Sequence, residues 1–296
     1  MAGRQWWRRV GRAAAGVVVA ASAVAVATAS SSELSGASSA LWPTRTVMFG
    51  PCRHDGARLA MDLYLPPPSA GVAPWPVAMF VHGGGWAQRR RSEGPLFADI
   101  TAGLVEQGIA VASPDYRLAP DHTWPAPLDD VECALAQIGT MAAPWQLDPS
   151  RVGAWGVSAG GHLVSLAGTR PAGPVALVAV ADLYGPADLA AAGWPVSTGA
   201  LIAQEFGSSP AVLREASPRR WASAEDPPFL VVHGDADRSV PLAQSEHFVR
   251  ALRAAGVETD FVVVPGGTHG LGDRPEVAAR VISFLAERLN RALAPP

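Results

Sequence analysis

From Arg58 onward the chain alternates short apolar runs with longer stretches of helical period. Between Arg58 and Leu65, the residues Leu59, Met61, Leu63 and Leu65 share one side, the two-residue period of a half-buried early strand. Six later runs are mostly apolar and do not alternate: Val77 to Val81, Ile109 to Ser113, Val152 to Trp155, Val175 to Leu183, Phe229 to Val232 and Phe261 to Val264. Such runs suit strands covered on both faces. Helical stretches lie between them, around Leu96 to Gln107, Pro127 to Gly139, Ser158 to Ala167, Leu242 to Ala255 and Pro275 to Leu293. This alternation predicts an α/β fold, a mostly parallel central sheet flanked by helices. The stretch from Pro186 to Arg220 has no strand-like run and is too short for an independent domain, so it reads as a small cap insertion. No internal repeat is present.

The N-terminus follows a different pattern. Arg4, Arg8, Arg9 and Arg12 precede an almost wholly apolar run from Ala13 to Ala29 that closes on Ala27-Thr28-Ala29. A basic arm, an apolar run and a small-residue end are the parts of an export signal, expected to be cut after Ala29. Retention as a membrane anchor is the competing reading, since spanning a bilayer takes roughly 17 to 25 apolar residues. Arg8-Arg9 also raises twin-arginine export, although Val10-Gly11-Arg12 lacks the strongly apolar pair such signals carry. Residues 30–43 form a Ser-rich linker, which leaves 44–296 for the catalytic domain.

Composition narrows the chemistry. Apolar residues make up 49% of the 296 and charged residues 17%, which allows a large core. The formal charge is −3 with no basic block past the N-terminal arm, which argues against nucleic-acid binding. All 23 basic residues are arginine, so Schiff-base and Ser-Lys mechanisms are excluded. Two cysteines, Cys52 and Cys133, exclude a disulfide scaffold and a Cys-rich zinc site. Cys133 falls opposite the face formed by Leu128, Val131, Leu135 and Ile138, and whether it pairs with Cys52 stays open at this point. Oligomeric state cannot be read from the pattern.

Gly156-Val157-Ser158-Ala159-Gly160 is a G-x-S-x-G sequence between a strand-like run and a helical one. That context predicts a nucleophile elbow, a turn too tight for side chains two residues either side of Ser158. It lifts the serine hydroxyl out at a helix N-terminus, where partial positive charge favours an oxyanion. His82-Gly83-Gly84-Gly85-Trp86 follows the strand-like run ending at Val81. Its glycines leave the N–H groups of Gly84 and Gly85 open to serve as oxyanion donors beside that of Ala159. A phosphate-binding loop is disfavoured, because neither G-x-G-x-x-G nor a Walker lysine is present.

A serine needs a base, and the base needs an acid that sets its tautomer. His269 in Gly266-Gly267-Thr268-His269-Gly270 follows the last strand-like run and is the only histidine after it. His54 and His122 fit loops, His82 and His233 fit turns, His162 lies on the nucleophile helix and His247 on a surface helix, and none shows metal-ligand spacing. Asp235 and Asp237 both follow the run Phe229 to Val232, and either could be the acid. Asp129-Asp130 could be mistaken for paired acid-base carboxylates, but neighbours on a helix diverge and read as structural. Trp86, Trp124, Trp194 and Trp221 could stack on a sugar or aryl acyl group, or simply pack.

Together these residues carry a resemblance that covers nearly the whole chain after the linker. The matching pieces are His82 to Trp86, Tyr116-Arg117-Leu118-Ala119-Pro120, Asp148 to Gly153, the elbow through Gly161-His162-Leu163, and Asp237-x-x-Val240-Pro241. The chain resembles the α/β-hydrolases of the esterase/lipase superfamily, and within them bacterial carbohydrate esterases with a feruloyl or acetyl-xylan esterase type domain. It departs from the hormone-sensitive-lipase pattern, which has aspartate where this chain has Val157. The resemblance implies an α/β-hydrolase fold and an exported serine esterase acting on small acyl or aryl esters, with carbohydrate esters among them, and using no metal or cofactor. It also implies Asp237, the aspartate of D-x-x-V-P, as the triad acid. The position of Asp235 beside the His233-Gly234 turn fits it for bonding backbone N–H groups instead. An amide hydrolase and a catalytically silent binding protein are the alternatives on the same fold.

Overall fold

The computed structural model describes residues 43–53, 56–88, 91, 94–170 and 173–291. The expected export segment, all but the last residue of the linker, and His54 lie outside the described residues. Two strands open the fold, β1 (Arg45–Phe49) and β2 (Leu59–Tyr64), followed by β3 (Trp75–Val81), helix α1 (Pro95–Glu106) and β4 (Ala110–Pro114). Next come α2 (Ala126–Thr140), the short α3 (Ala142–Trp145), β5 (Leu147–Val157), α4 (Ala159–Thr169) and β6 (Leu177–Leu183). Helices α5 (Val196–Phe206) and α6 (Pro210–Glu215) precede β7 (Phe229–Gly234), α7 (Ala243–Ala254), β8 (Thr259–Val264) and α8 (Pro275–Arg291).

All eight strands join one sheet in the order β1-β2-β4-β3-β5-β6-β7-β8. β1 and β2 run antiparallel to their neighbours, and every pair from β4 to β8 is parallel. Alternate residues of each strand feed two core layers. Val77, Met79 and Val81 of β3 face the layer packed by α2, α4 and α7, with Leu128, Val131, Leu163 and Phe248 among its members. Ala78 and Phe80 face the other layer, filled by α1 and α8 through Leu96, Ile100, Val281 and Phe284. Fully burying a side chain of this size contributes about 1.5–3 kcal/mol.

Three strands depart from the periodicity reading. β1 has too short an apolar run, Val47 to Phe49, to stand out as a strand, and as an edge strand it buries only Phe49. β8, expected to be covered on both faces, is the opposite edge and leaves Val263 exposed. β2 is buried on its polar side as well. Its Asp62 is enclosed, and it accepts hydrogen bonds from Thr46 and from Arg91, which also pairs with Asp115.

Cys52 and Cys133 form a disulfide across 81 residues, tying the segment after β1 to α2. Cys133 does lie off the core face of its helix, and the pairing became possible only because the β1–β2 connection passes over that side. A bond of this kind typically contributes about 2–4 kcal/mol. Asp130 of α2 is wholly buried in a bidentate pair with Arg117, while Asp129 turns towards Arg53. The adjacent carboxylates therefore diverge and serve packing.

The expected cap region is built from α5, α6 and a short 3-10 turn, Pro218–Arg220. The N–H of Trp124 donates to the carbonyl of Glu205, joining α5 to the loop before α2. The Glu205 side chain is buried with no hydrogen-bond partner for either carboxyl oxygen. Burial pushes its pKa from 4.5 up to about 8. The folded chain therefore holds this proton over a pH range in which the unfolded chain has released it. Stability present below pH 4.5 is lost as the pH rises towards 8. Glu205→Gln, neutral in both states, is expected to melt several degrees above the wild type at pH 8 and level with it near pH 4.5. Parallel slopes of Tm against pH for the two proteins would show that Glu205 is already ionised in the fold.

Candidate active site

β5 runs straight into α4 through Ser158, whose φ of 54° and ψ of −119° lie outside the regions open to most side chains. The turn is tight enough that a Cβ on Gly160 would meet the carbonyl oxygen of Val81 at 1.9 Å, and one on Gly156 would meet that of Gly160 at 2.4 Å. Only hydrogen fits at either place. The Ser158 N–H donates to Leu183 and its carbonyl accepts from His162, so both neighbouring elements hold the strained residue. Behind it, α4 is buried along its whole length.

His269 arrives from the loop after β8, and its Nε2 lies 2.9 Å from Ser158 Oγ. Its Nδ1 lies 2.7 Å from Asp237 Oδ2. An ionised carboxylate only accepts, so Nδ1 carries the hydrogen and Nε2 is left free to take the serine proton. The other Asp237 oxygen accepts the N–H groups of Ser239 and Val240. Burial alone would push the Asp237 carboxyl up. The hydrogen bonds of His233 and His269, the charge of His269 and the Val240 N–H outweigh it and hold the group well below the usual carboxylate range. Asp235 is exposed and accepts the N–H of Gly266 at 2.7 Å, so it braces the loop of His269 from outside.

Gly84 and Gly85 sit beside Ser158 with positive φ of 108° and 60°, and the Gly84 carbonyl closes a turn on Ala87 and Gln88. Ala159 is the first residue of α4, where a backbone N–H has no partner within the helix. These three residues, Ser158 and His269 line one cleft of about 570 Å³. Phe80, Pro95, Leu96 and Phe97 form an apolar wall on one side. Ser197, Thr198 and Leu201 of the cap, with Ser239, form the other. The described lining carries no carboxylate or guanidinium. Among the described residues, no group of three or more His, Cys, Asp or Glu is placed to hold a metal ion.

The BD-FAE family profile matches residues 61–252. The chain belongs to the BD-FAE family. Two relatives from Mycobacterium tuberculosis are similar over much of it. Esterase LipC is 31% identical over 75% of this chain and 60% of its own length. Esterase LipQ is 30% identical over 81% of this chain and 60% of its own length. The chain thus spans about three fifths of these curated relatives. A solved structure described as a truncated form of a carbohydrate esterase from gut microbiota is 26% identical, with a TM-score of 0.71 over 84% of this chain and 97% of that one. The fold is that of the α/β-hydrolases.

The BD-FAE match takes in the glycine loop, Ser158 and Asp237 and ends before His269. Within this BD-FAE chain the expected aromatic platform is not assembled. Trp86 borders the cleft, but it is only 2% exposed, and its ring is enclosed by His162 and Phe206. It therefore offers the cleft little surface on which a substrate ring could stack. Trp124 packs on Phe206, Trp221 bonds the Glu215 carbonyl, and neither they nor Trp194 lines the cleft.

Two residues that sequence reasoning did not single out support the site. Tyr184, with a φ of 48°, sets its ring edge-on to His269 at 4.9 Å and donates its hydroxyl to the Gly270 carbonyl. Asp182, wholly buried at the end of β6, accepts from Ser165 of α4 and from the Gly185 N–H. Burial raises its pKa to about 6 against those hydrogen bonds. Neither belongs to a motif. Their one sequence signal is position at the C-terminal end of a strand.

Proposed function

We propose that the chain is a serine carboxylesterase. The observation that carries this reading is the continuous relay from Asp237 to His269 to Ser158, at 2.7 and 2.9 Å, opening on a glycine-lined cleft. Ser158 Oγ attacks the ester carbonyl carbon while His269 Nε2 takes its proton. Charge gathering on the carbonyl oxygen is met by the N–H groups of Gly84, Gly85 and Ala159. The tetrahedral intermediate collapses, His269 returns the proton to the leaving alcohol, and an acyl-Ser158 ester remains. Water, deprotonated by His269, then releases the acid.

A described lining without carboxylate or guanidinium favours neutral esters on both sides of the scissile bond. The hydroxyl-bearing rim of Ser197, Thr198 and Ser239 beside an apolar wall suits a small acyl or aryl group joined to a hydroxylated alcohol such as a sugar. The carbohydrate esterase among the similar structures supports the same reading. Export is supported by the basic arm and apolar run at the N-terminus and by the Cys52–Cys133 disulfide, a bond that persists in oxidising compartments.

The cap's longest helix, α5, has 11 residues, and its Leu201 presses onto Gly85 at the cleft. With so short a cover, kcat/KM is expected to fall at least about ten-fold from acetyl or butyryl to dodecanoyl esters, because methylenes that reach past the apolar wall of the cleft stay in water. A graded series of nitrophenyl esters run beside the matching anilides measures both chain length and leaving group. Preference for dodecanoate with activation at a lipid interface would make the protein a lipase, and faster anilide turnover would make it an amidase.

A further inference from the structure

His162 is fully buried one helical turn beyond Ser158, and the relay just described does not use it. Its Nε2 lies 2.7 Å from the carbonyl oxygen of Ala216, at the end of the cap helix α6. A carbonyl can only accept, so that nitrogen carries the ring hydrogen and Nδ1 is a bare acceptor. Trp86 Nε1–H points at this acceptor at 3.3 Å, and indole N–H can only donate. One tautomer therefore satisfies both contacts. Trp86 itself directly follows Gly84 and Gly85, has a φ of 56°, and accepts the Ala119 N–H on its carbonyl. The indole, the imidazole and Phe206 of α5 meet edge to face at 5.0 to 5.6 Å.

We propose that His162 is a positioning residue that latches the oxyanion loop, through Trp86, to the nucleophile helix and to the cap. The physical reason is that three parts distant in the chain converge on it: α4, the Gly84-Gly85 turn and the end of α6. A glycine turn has little stiffness of its own, so the direction of its N–H groups is set by whatever fixes the residue after it. The Trp86 side chain is fixed by one buried hydrogen bond, to His162, and by ring packing against His162 and Phe206. Burial lowers the His162 pKa to about 4, which keeps the ring neutral and its acceptor open at the pH of catalysis. The ionisable groups around it are few: Tyr116 and His82 stack on each other behind the loop, and Glu205 precedes Phe206. The latch rests on the esterase reading, because its effect appears when charge develops on the substrate oxygen.

Trp86→Phe keeps a ring in the same socket and removes only the N–H. It is expected to lower kcat about ten-fold with KM within two-fold, since donors displaced by a fraction of an ångström are felt in the transition state. His162→Gln keeps a donor for Ala216 but places a methylene, not an acceptor, where Nδ1 stood, so it should match that loss. The double variant should be no worse than either single one, as for two ends of one bond. His162→Asn, which places an oxygen where Nδ1 stood, should recover most of kcat. Rates are normalised to the fraction of sites labelled by a fluorophosphonate, which separates failure of the latch from failure of the triad. Hydrogen exchange of residues 82–88 gives a readout that needs no turnover, and protection there should fall in Trp86→Phe and His162→Gln. An unchanged kcat and unchanged protection in Trp86→Phe overturn the latch. So does a loss confined to KM, which would return Trp86 to direct substrate contact. Should the His162 variants not fold, Trp86→Phe decides alone.

Discussion

Ser158→Ala is expected to lose turnover by a factor on the order of 10⁴ to 10⁶ and to lose all labelling by a fluorophosphonate, with an unchanged thermal midpoint. The hydroxyl is the atom that forms the acyl-enzyme, and among the described residues Ser158 is the nucleophile bonded to His269 Nε2. Fold and catalysis separate cleanly here because the elbow is held by its backbone. The Ser158 N–H and carbonyl make the bonds to Leu183 and His162, and the side chain makes none that brace the turn. Alanine also accepts the positive φ no less readily than serine, so little strain is added. Residual turnover of about 10³ over water is compatible with the assignment, since the oxyanion donors and the cleft remain. Labelling retained at a different serine would remove Ser158 from its place in the mechanism.

The second large effect is expected at Asp237. Asp237→Asn should lower kcat by about 10⁴ with a modest change in midpoint. The present carboxylate takes hydrogen from His269, Ser239 and Val240 and lies 3.4 Å from His233 Nε2. An asparagine oxygen can still accept the two backbone N–H groups. Its NH₂ then faces Nδ1, which favours the tautomer with the proton on Nε2, the nitrogen that must act as base. The buried negative charge that stabilises the imidazolium is lost as well. Because the carboxyl is held well below the usual range, it stays ionised on both sides of neutral pH, so the acid limb of the rate profile should not report Asp237. Asp235→Ala supplies the contrast: it removes an exposed brace on Gly266, costs at most about 1 kcal/mol, and leaves kcat within a few-fold. Measurement of kcat and Tm for both variants decides between the two aspartates. Loss of activity at unchanged midpoint in Asp235→Ala, with Asp237→Asn active, would exchange their roles.

The sheet and the order of the site residues were legible in the chain because both are written in local signals. A strand buried on two faces must be largely apolar, as β3 is and as β7 is from Phe229 to Val232, and an elbow with no room for a Cβ must read glycine at 156 and 160. Order along the chain was enough to separate His269 from six other histidines. For the acid, local pattern left two aspartates, and resemblance to a family chose Asp237. Where burial comes from distant neighbours, the local pattern was silent or misleading. β1 pairs with β2 and sinks only Phe49 fully into the core, while β8 is apolar and yet lies at an edge. Asp62, Asp130 and Asp182 are polar residues inside, each made tolerable by a partner that sequence spacing cannot reveal.

The sequence by itself therefore determined the α/β architecture, the strained serine turn and the glycine loop, since each depends on what a few consecutive residues can sterically do. Only the tertiary structure decided that Cys52 meets Cys133, that Trp86 turns inward to His162 instead of outward to a ligand, that Tyr184 backs the His269 ring, and which face of the cap closes the cleft. These are meetings of groups 76, 81 or 85 positions apart. Their partners are chosen by how helices and loops pack across the sheet, and a directional contact between two side chains leaves no trace in the periodicity of either segment.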